Sequence, residues 1–349
     1  TMASQSSSAS AKAPAGDFSA LGIDSRLLKG IRKLGLEAPT SVQACAIPLA
    51  LAGKDVLARA PTGSGKTYAY TIPLLQKVLH RQDAGAGAQL GALVLVPTRE
   101  LCQQVLSVVK GILGHAGAGH VLVLQLALPT DAAAIRTGEP PDVLIATPSQ
   151  VLTQVSSCKD FLMGLHTLVL DEADLLLSYG YGEDITAIGS HLPSAVHTLL
   201  YSATITPDLD AVTSLFLHNP ATVNISADDG GEGGTLRQFY LRCSHADKFL
   251  VMYALFKLNR IPGRSLIFVN SVERGFRLKL FLEQFGVSLG LLNCELPLES
   301  RWHAIQAFNR GLFDILVATD DPKLMLGHAT EGTDATATAT AAAPAAAAT

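Results

Sequence analysis

Short apolar runs without polar alternation recur along the chain, separated by segments of helix length. They are Asp55 to Ala60, Ala92 to Val96, His120 to Leu124, Asp142 to Ala146, His166 to Leu170 and His197 to Tyr201. Unbroken apolarity means burial on both faces, which is what a strand inside a parallel sheet experiences; a half-exposed strand would alternate. Runs and helical segments in alternation therefore predict an α/β fold, an open parallel sheet with helices packed against it. Thr67 to His80 reads as one of these helices, with Pro73 an expected kink.

A second series follows a break. Ser226 to Thr235 is glycine-rich and acidic, too polar to pack, and reads as a flexible hinge. Beyond it the expected elements are a strand at Gln238 to Arg242, a helix at Asp247 to Leu258 and a strand at Ser265 to Val269. Then come a helix at Val272 to Phe285, a strand at Ser288 to Asn293, a helix at Leu298 to Asn309 and a strand at Asp314 to Ala318. At roughly 100 to 200 residues per domain, 349 residues suit two domains. The expected boundaries are a loose tail over 1–17, a first domain over 18–225, the linker at 226–235, a partial second domain over 236–328 and an Ala/Thr tail over 329–349.

Composition excludes some classes. Lys and Arg total 26 against 30 Asp and Glu, a net charge of −4, so any nucleic acid has to be gripped by local groups. No stretch approaches the roughly 20 apolar residues of a membrane span, and a soluble chain is expected. Cys45, Cys102, Cys158, Cys243 and Cys294 stand singly, which points to a reducing compartment and to buried thiols rather than disulfides or zinc.

The segment Ala60-Pro-Thr-Gly-Ser-Gly-Lys-Thr67 follows one expected strand and opens an expected helix. That is the setting of a phosphate-binding loop. In such a loop Thr62, Gly63, Ser64 and Gly65 turn backbone N–H groups toward phosphates, Lys66 reaches the β/γ oxygens, and Thr67 can ligate Mg²⁺ at the helix N-terminus. About a hundred residues on, the strand in Leu168-Val-Leu-Asp-Glu-Ala-Asp174 delivers carboxylates at its C-terminal end, where open α/β sheets bind ligands. Asp171 can hold Mg²⁺, directly or through water, and Glu172 can orient or deprotonate an attacking water. The pair of motifs predicts hydrolysis of a nucleoside triphosphate.

With Asp-Glu-Ala-Asp in this position, the chain resembles the DEAD-box ATP-dependent RNA helicases. The resemblance implies two RecA-like parallel-sheet domains of the P-loop NTPase class, the second incomplete, acting as a monomer on ATP, Mg²⁺ and RNA. Gly35 to Gln43 resembles the adenine-recognition motif. Gln43 would pair with adenine and Phe18 would stack on the ring, although Phe18 also reads as core filler. Pro97, Thr98 and Arg99, together with Thr147 and Pro148, resemble RNA-backbone motifs at helix starts; Thr147 reads equally as a plain N-cap. Ser202-Ala-Thr204 resembles the motif that couples hydrolysis to strand separation, its hydroxyls reaching Asp174.

In the second domain Leu266 to Asn270 and Arg301 resemble further RNA-contact motifs, Asn270 and Arg301 being the contacting residues. A solvated helix face is the competing reading of Arg301. Val317 to Asp320 resembles the start of a later motif. In the implied mechanism ATP and RNA bind in a cleft between the domains and closure bends one RNA strand.

The sequence departs from the family pattern at several points. Gln150 stands where arginine is usual, Leu298 where glutamine is usual and Cys294 where glycine is usual. After Asp320 the chain has Asp321-Pro-Lys-Leu-Met-Leu-Gly in place of the family's arginine-rich stretch. Two other readings therefore stand beside the helicase: an ATP-responsive RNA-binding fragment that does not hydrolyse, and another P-loop NTPase such as a DNA translocase. The wording around Asp171 to Gly180 and Leu292 to Leu298 resembles a nucleolar branch that acts in large ribosomal subunit assembly, which implies pre-ribosomal RNA and proteins as partners and the nucleolus as location.

Overall fold

The structure is a computed structural model that describes residues 16–85, 87, 89–126, 140–158, 160–204, 207–225 and 237–319. The chain divides into two compact units between Arg237 and Gln238. The anticipated hinge, residues 1–15 of the expected N-terminal tail, Asp320 and the residues that follow it lie outside the described residues.

Unit 1 is a seven-stranded parallel sheet, its strands formed by the apolar runs and one run not anticipated. In chain order they are β1 (Val56–Arg59), β2 (Ala92–Leu95), β3 (Val123–Leu126), β4 (Val143–Ala146), β5 (Thr167–Leu170), β6 (His197–Ser202) and β7 (Ala221–Asn224). Their spatial order is β3-β4-β2-β5-β6-β1-β7. Intervening helices are α1 (Ser25–Lys33), α2 (Ser41–Leu51), α3 (Lys66–Asp83), α4 (Arg99–Ala116), α5 (Pro148–Ser157), α6 (Ala173–Ser178), α7 (Gly182–Gly189) and α8 (Pro207–Phe216).

Successive strand side chains point to opposite faces. Accordingly Ala92 and Val94 enter one core with Ile47, Leu75 and Ile112, while Leu93 and Leu95 enter another with Val151, Leu176 and Ile188. Both faces are covered, which is why these strands carry no polar alternation. Two details differ from expectation. The third strand sits at 123–126 rather than 120–124, and β7 at the sheet edge has only one of its four residues buried, too weak an apolar run to stand out. α3 starts at Lys66 and runs unbroken through Pro73 to Asp83.

Unit 2 holds a three-stranded parallel sheet ordered β8 (Ser265–Val269), β10 (Ile315–Thr319), β9 (Gly290–Leu292). Around it are α9 (Lys248–Lys257), α10 (Val272–Gln284) and α11 (Leu298–Asn309). Its core is Ile267, Leu278, Leu282, Leu289, Leu291, Ile315 and Val317. The strand expected at Gln238 to Arg242 is not formed. Phe239 and Tyr240 are 90% and 85% exposed, and no described strand pairs with them. An apolar run becomes a strand only when a neighbour takes its backbone groups. The cysteines also depart from expectation, for Cys102 and Cys294 are buried but Cys158 and Cys243 are exposed.

Candidate active site

Parallel pairing brings the motif-bearing loops to one edge of the unit 1 sheet. Leu95 lies opposite Ala146 on one side and Leu170 on the other, Leu170 opposite Leu200, and Arg59 opposite Ser202. Every C-terminal strand end therefore opens on the same side, where such sheets bind ligands. From β4 to β1 the order of segments is Thr147 and Pro148, then Pro97 to Arg99, then Asp171 to Asp174, then Ser202 to Thr204, then Ala60 to Thr67.

The 60–67 loop turns tightly into α3. Gly63 and Gly65 have φ of 83° and 92°, a left-handed backbone that glycine tolerates best. At Gly65 an added Cβ would meet Gln43 Nε2 at 2.4 Å, so a side chain is excluded there on two counts. Gln43, 3% exposed, builds the loop from outside. Its Nε2 donates to the Gly65 carbonyl at 3.1 Å, and its Oε1 accepts from the Thr40 N–H at 3.0 Å, closing a capping box on α2. Thr62 is exposed at the turn.

Lys66, 5% exposed, ion-pairs with Glu172 at 2.7 Å. Glu172 has φ 48° and ψ 53°, a left-handed conformation uncommon for a residue with a side chain. Asp171 is almost wholly buried; its Oδ2 accepts from the Tyr70 hydroxyl at 2.8 Å and its Oδ1 from the Glu172 N–H at 3.0 Å. Burial pushes the Asp171 carboxyl up to about 6, reinforced by the Glu172 charge and opposed by the Tyr70 hydrogen bond and the Lys66 ammonium.

Asp174 accepts from the Thr204 hydroxyl at 2.7 Å and the Thr204 N–H at 3.1 Å. Burial acts to raise its pKa, but hydrogen bonds from Thr204 and Ser202 outweigh it and hold the carboxyl below the usual range. The hydroxyls of the Ser-Ala-Thr segment and the carboxylates of the Asp-Glu-Ala-Asp segment are thus directly joined.

These residues fit a magnesium nucleotide. Ser64 Oγ is buried in the loop with no hydrogen-bond partner among the described residues, an orphan donor where a phosphate oxygen would accept. A desolvated carboxylate with a raised pKa, flanked by a hydroxyl, suits a cation that would keep it ionised. Thr67 and Asp171 are the oxygen-bearing residues that would hold such a cation.

Phe18 is 2% exposed in a 3-10 turn and belongs to the hydrophobic core, leaving no open ring face. Thr98 caps α4 through its hydroxyl, which accepts from the Leu101 N–H at 3.3 Å; Arg99 beside it is exposed. Thr147 sits at the N-cap position of α5, yet its side chain makes no capping hydrogen bond, so the plain N-cap reading does not hold. Pro148 follows at the first helical position. In unit 2, Asn270 is exposed just past β8 and Arg301 is partly buried on α11. The motifs do not single out Tyr70, and they include Thr40 only within the run ending at Gln43, not as its capping partner. The signals are present: Tyr70 lies three residues beyond Thr67 on one helix face, and Thr40 with Gln43 is a capping-box spacing.

Residues 40–212 match the family model described as DEAD/DEAH box helicase, and residues 247–321 match the model described as Helicase conserved C-terminal domain. The chain belongs to the DEAD/DEAH box helicase family. Among curated relatives, the ATP-dependent RNA helicase dbp9 of Aspergillus oryzae is 45% identical over 313 residues, covering 88% of this chain and 51% of the relative. The dbp9 of Botryotinia fuckeliana is 42% identical over 311 residues with the same coverage. The chain spans about half the length of these relatives. A solved structure of S. cerevisiae Dbp5 bound to RNA and ADP BeF3 superposes with a TM-score of 0.74 at 27% identity, covering 88% of this chain and 76% of that one.

Proposed function

We propose that this chain binds ATP with Mg²⁺ on unit 1, binds the RNA backbone, and couples ATP hydrolysis to local remodelling of RNA. The observation that carries the reading is the continuous contact from nucleotide loop to coupling motif. Lys66 meets Glu172 at 2.7 Å, and Asp174 meets Thr204 at 2.7 Å, two residues along the same turn. Magnesium, when bound with the nucleotide, screens phosphate charge and orients the transferred group.

The chain's own residues do the rest. Backbone N–H groups of 63–66 and the Ser64 hydroxyl hold phosphate oxygens, Lys66 leaves Glu172 for the β/γ oxygens, and Glu172, released, takes a proton from an attacking water. Thr67 and Asp171 hold the cation. Gln43 offers an amide that can both donate to and accept from adenine, while already bracing Gly65. Thr98, Arg99, Thr147 and Pro148 contact RNA phosphates at adjacent strand ends, and Asn270 and Arg301 do so on unit 2. Such contacts position a strand without reading sequence.

The dbp9 relatives support a place in ribosome biogenesis and the nucleolus, which a fluorescently tagged chain in cells would check. Asp321-Pro-Lys-Leu-Met-Leu-Gly327, which departs from the family pattern, favours as second reading a chain that binds ATP and RNA without hydrolysing. Steady-state ATP hydrolysis with single-stranded RNA, DNA or neither separates the readings. RNA-specific stimulation is expected; equal stimulation by DNA overturns the RNA assignment, and nucleotide binding without turnover selects the second reading.

A further inference from the structure

Tyr70 lies behind the nucleotide loop, 0% exposed, on the α3 turn after Thr67. A buried phenol must place its hydroxyl, and here that hydroxyl has two partners. It donates to Asp171 Oδ2 at 2.8 Å and is hydrogen-bonded by the Thr67 hydroxyl. Those partners are the two residues assigned above as cation ligands. One oxygen thus bridges a hydroxyl from α3 and a carboxylate from the end of β5, beside the Lys66–Glu172 ion pair that joins the same two segments. The ring is itself fixed, packed against Tyr201 with centroids 5.5 Å apart and planes at 58°. Tyr201 provides a contrast within the same core: its ring is equally buried, but its hydroxyl has no hydrogen-bond partner among the described residues.

We infer that Tyr70 is a positioning residue for the metal, holding Thr67 and Asp171 in the arrangement that receives Mg²⁺ with the nucleotide. The inference rests on the ATP-binding reading of unit 1. An outer hydroxyl that orients ligating groups acts on the metal far more than on the nucleotide, since it touches neither phosphate nor base. Removing partners of this kind typically weakens metal affinity by ~10- to 100-fold. Phenylalanine keeps the ring packing and deletes only the oxygen.

The test is a titration of Mg²⁺ into the full chain with a fluorescent ADP analogue, repeated for Tyr70→Phe and Tyr201→Phe. Each is also measured in EDTA. Tyr70→Phe is expected to raise the Mg²⁺ concentration at half-maximal effect by about tenfold or more. Its nucleotide affinity in EDTA stays that of wild type, and Tyr201→Phe stays at wild type in both assays. An unchanged Mg²⁺ midpoint in Tyr70→Phe overturns the inference. So does an equal loss with and without Mg²⁺, which would make Tyr70 a support of the loop as a whole. Wild-type chain that binds no nucleotide under either condition overturns the reading of unit 1 itself, and the inference with it.

Discussion

Lys66 shows how a single side chain can serve two states. Its ammonium is buried and held by Glu172 at 2.7 Å, so neither charge is left unpaired before a nucleotide arrives. Exchange of that partner for phosphate replaces one charge-assisted hydrogen bond by another. Lys66→Ala is therefore expected to lower ATP affinity by at least about tenfold, the size of one lost charged hydrogen bond of ~1.5 to 3 kcal/mol. Far-ultraviolet circular dichroism should stay that of the wild type. Calorimetric titration reads the first quantity, and wild-type affinity would remove Lys66 from the phosphate site. Arg99, exposed at the start of α4, belongs to the same scale. Arg99→Ala should weaken RNA binding evenly across sequences and lower the slope of log affinity against log salt by about one, as loss of one phosphate contact does. An unchanged slope would place Arg99 away from the backbone.

At the scale of elements, the start of α2 carries a tie to the site. Gln43 closes the capping box with Thr40 and braces Gly65, so Gln43→Ala removes the capping-box partner of Thr40 along with the amide proposed to meet adenine. The variant should melt at lower temperature and discriminate less between ATP and GTP in a competition titration; retained discrimination would reduce Gln43 to a cap. The opposite end of the sheet sets a pH response. Burial, aided by the Lys77 charge, pushes His166 down to about 3, and burial also lowers His197. Both bind protons less readily when folded than when unfolded, where they titrate near 6.5. Their contribution to stability is thus complete above that pH and falls as pH drops below it, for His166 down to about 3. Asp171 acts in the reverse sense between about 4 and 6, since its folded carboxyl keeps a proton that the unfolded one releases. His166→Asn should therefore flatten the fall in melting temperature between pH 6.5 and pH 4. An unchanged profile would show that His166 does not carry it.

The motif strands of unit 1 were legible because burial on both faces leaves an unmistakable apolar run. The tight turn from β1 into α3 was legible because glycine, lysine and threonine follow such a run. The spacing from Thr67 places Tyr70 on the same helix face without telling that its hydroxyl reaches Asp171, and for Phe18 the ring-stacking and core readings stood side by side until burial decided for the core. Gln238 to Arg242 misled for a related reason: periodicity reports a strand's taste for burial, while pairing depends on a partner elsewhere.

Across the whole molecule, stability is unevenly distributed between the two units. Among the described residues, unit 1 has a core on each face of seven strands, whereas unit 2 has one cluster around three. In unit 2 the edge strand β8 leaves Leu266 and Phe268 55% and 71% exposed, and α9 buries none of its residues. Opening free energies within one protein run from ~0 up to the global value, and they follow buried apolar contact. Amides of α9 and β8 are therefore expected to exchange first under native conditions. β10 should be the slowest element of unit 2, because it is central and Val317 is fully buried. The amides of β2, β5 and β6 should outlast it. Exposed apolar side chains beside a strand edge that no described strand pairs also favour association, so exchange in β8 alone should slow as protein concentration rises. Hydrogen exchange read by mass spectrometry at two concentrations tests both statements. Protection of β8 equal to that of β5 at the lower concentration would mean that unit 2 draws stability from contacts other than its three-stranded core.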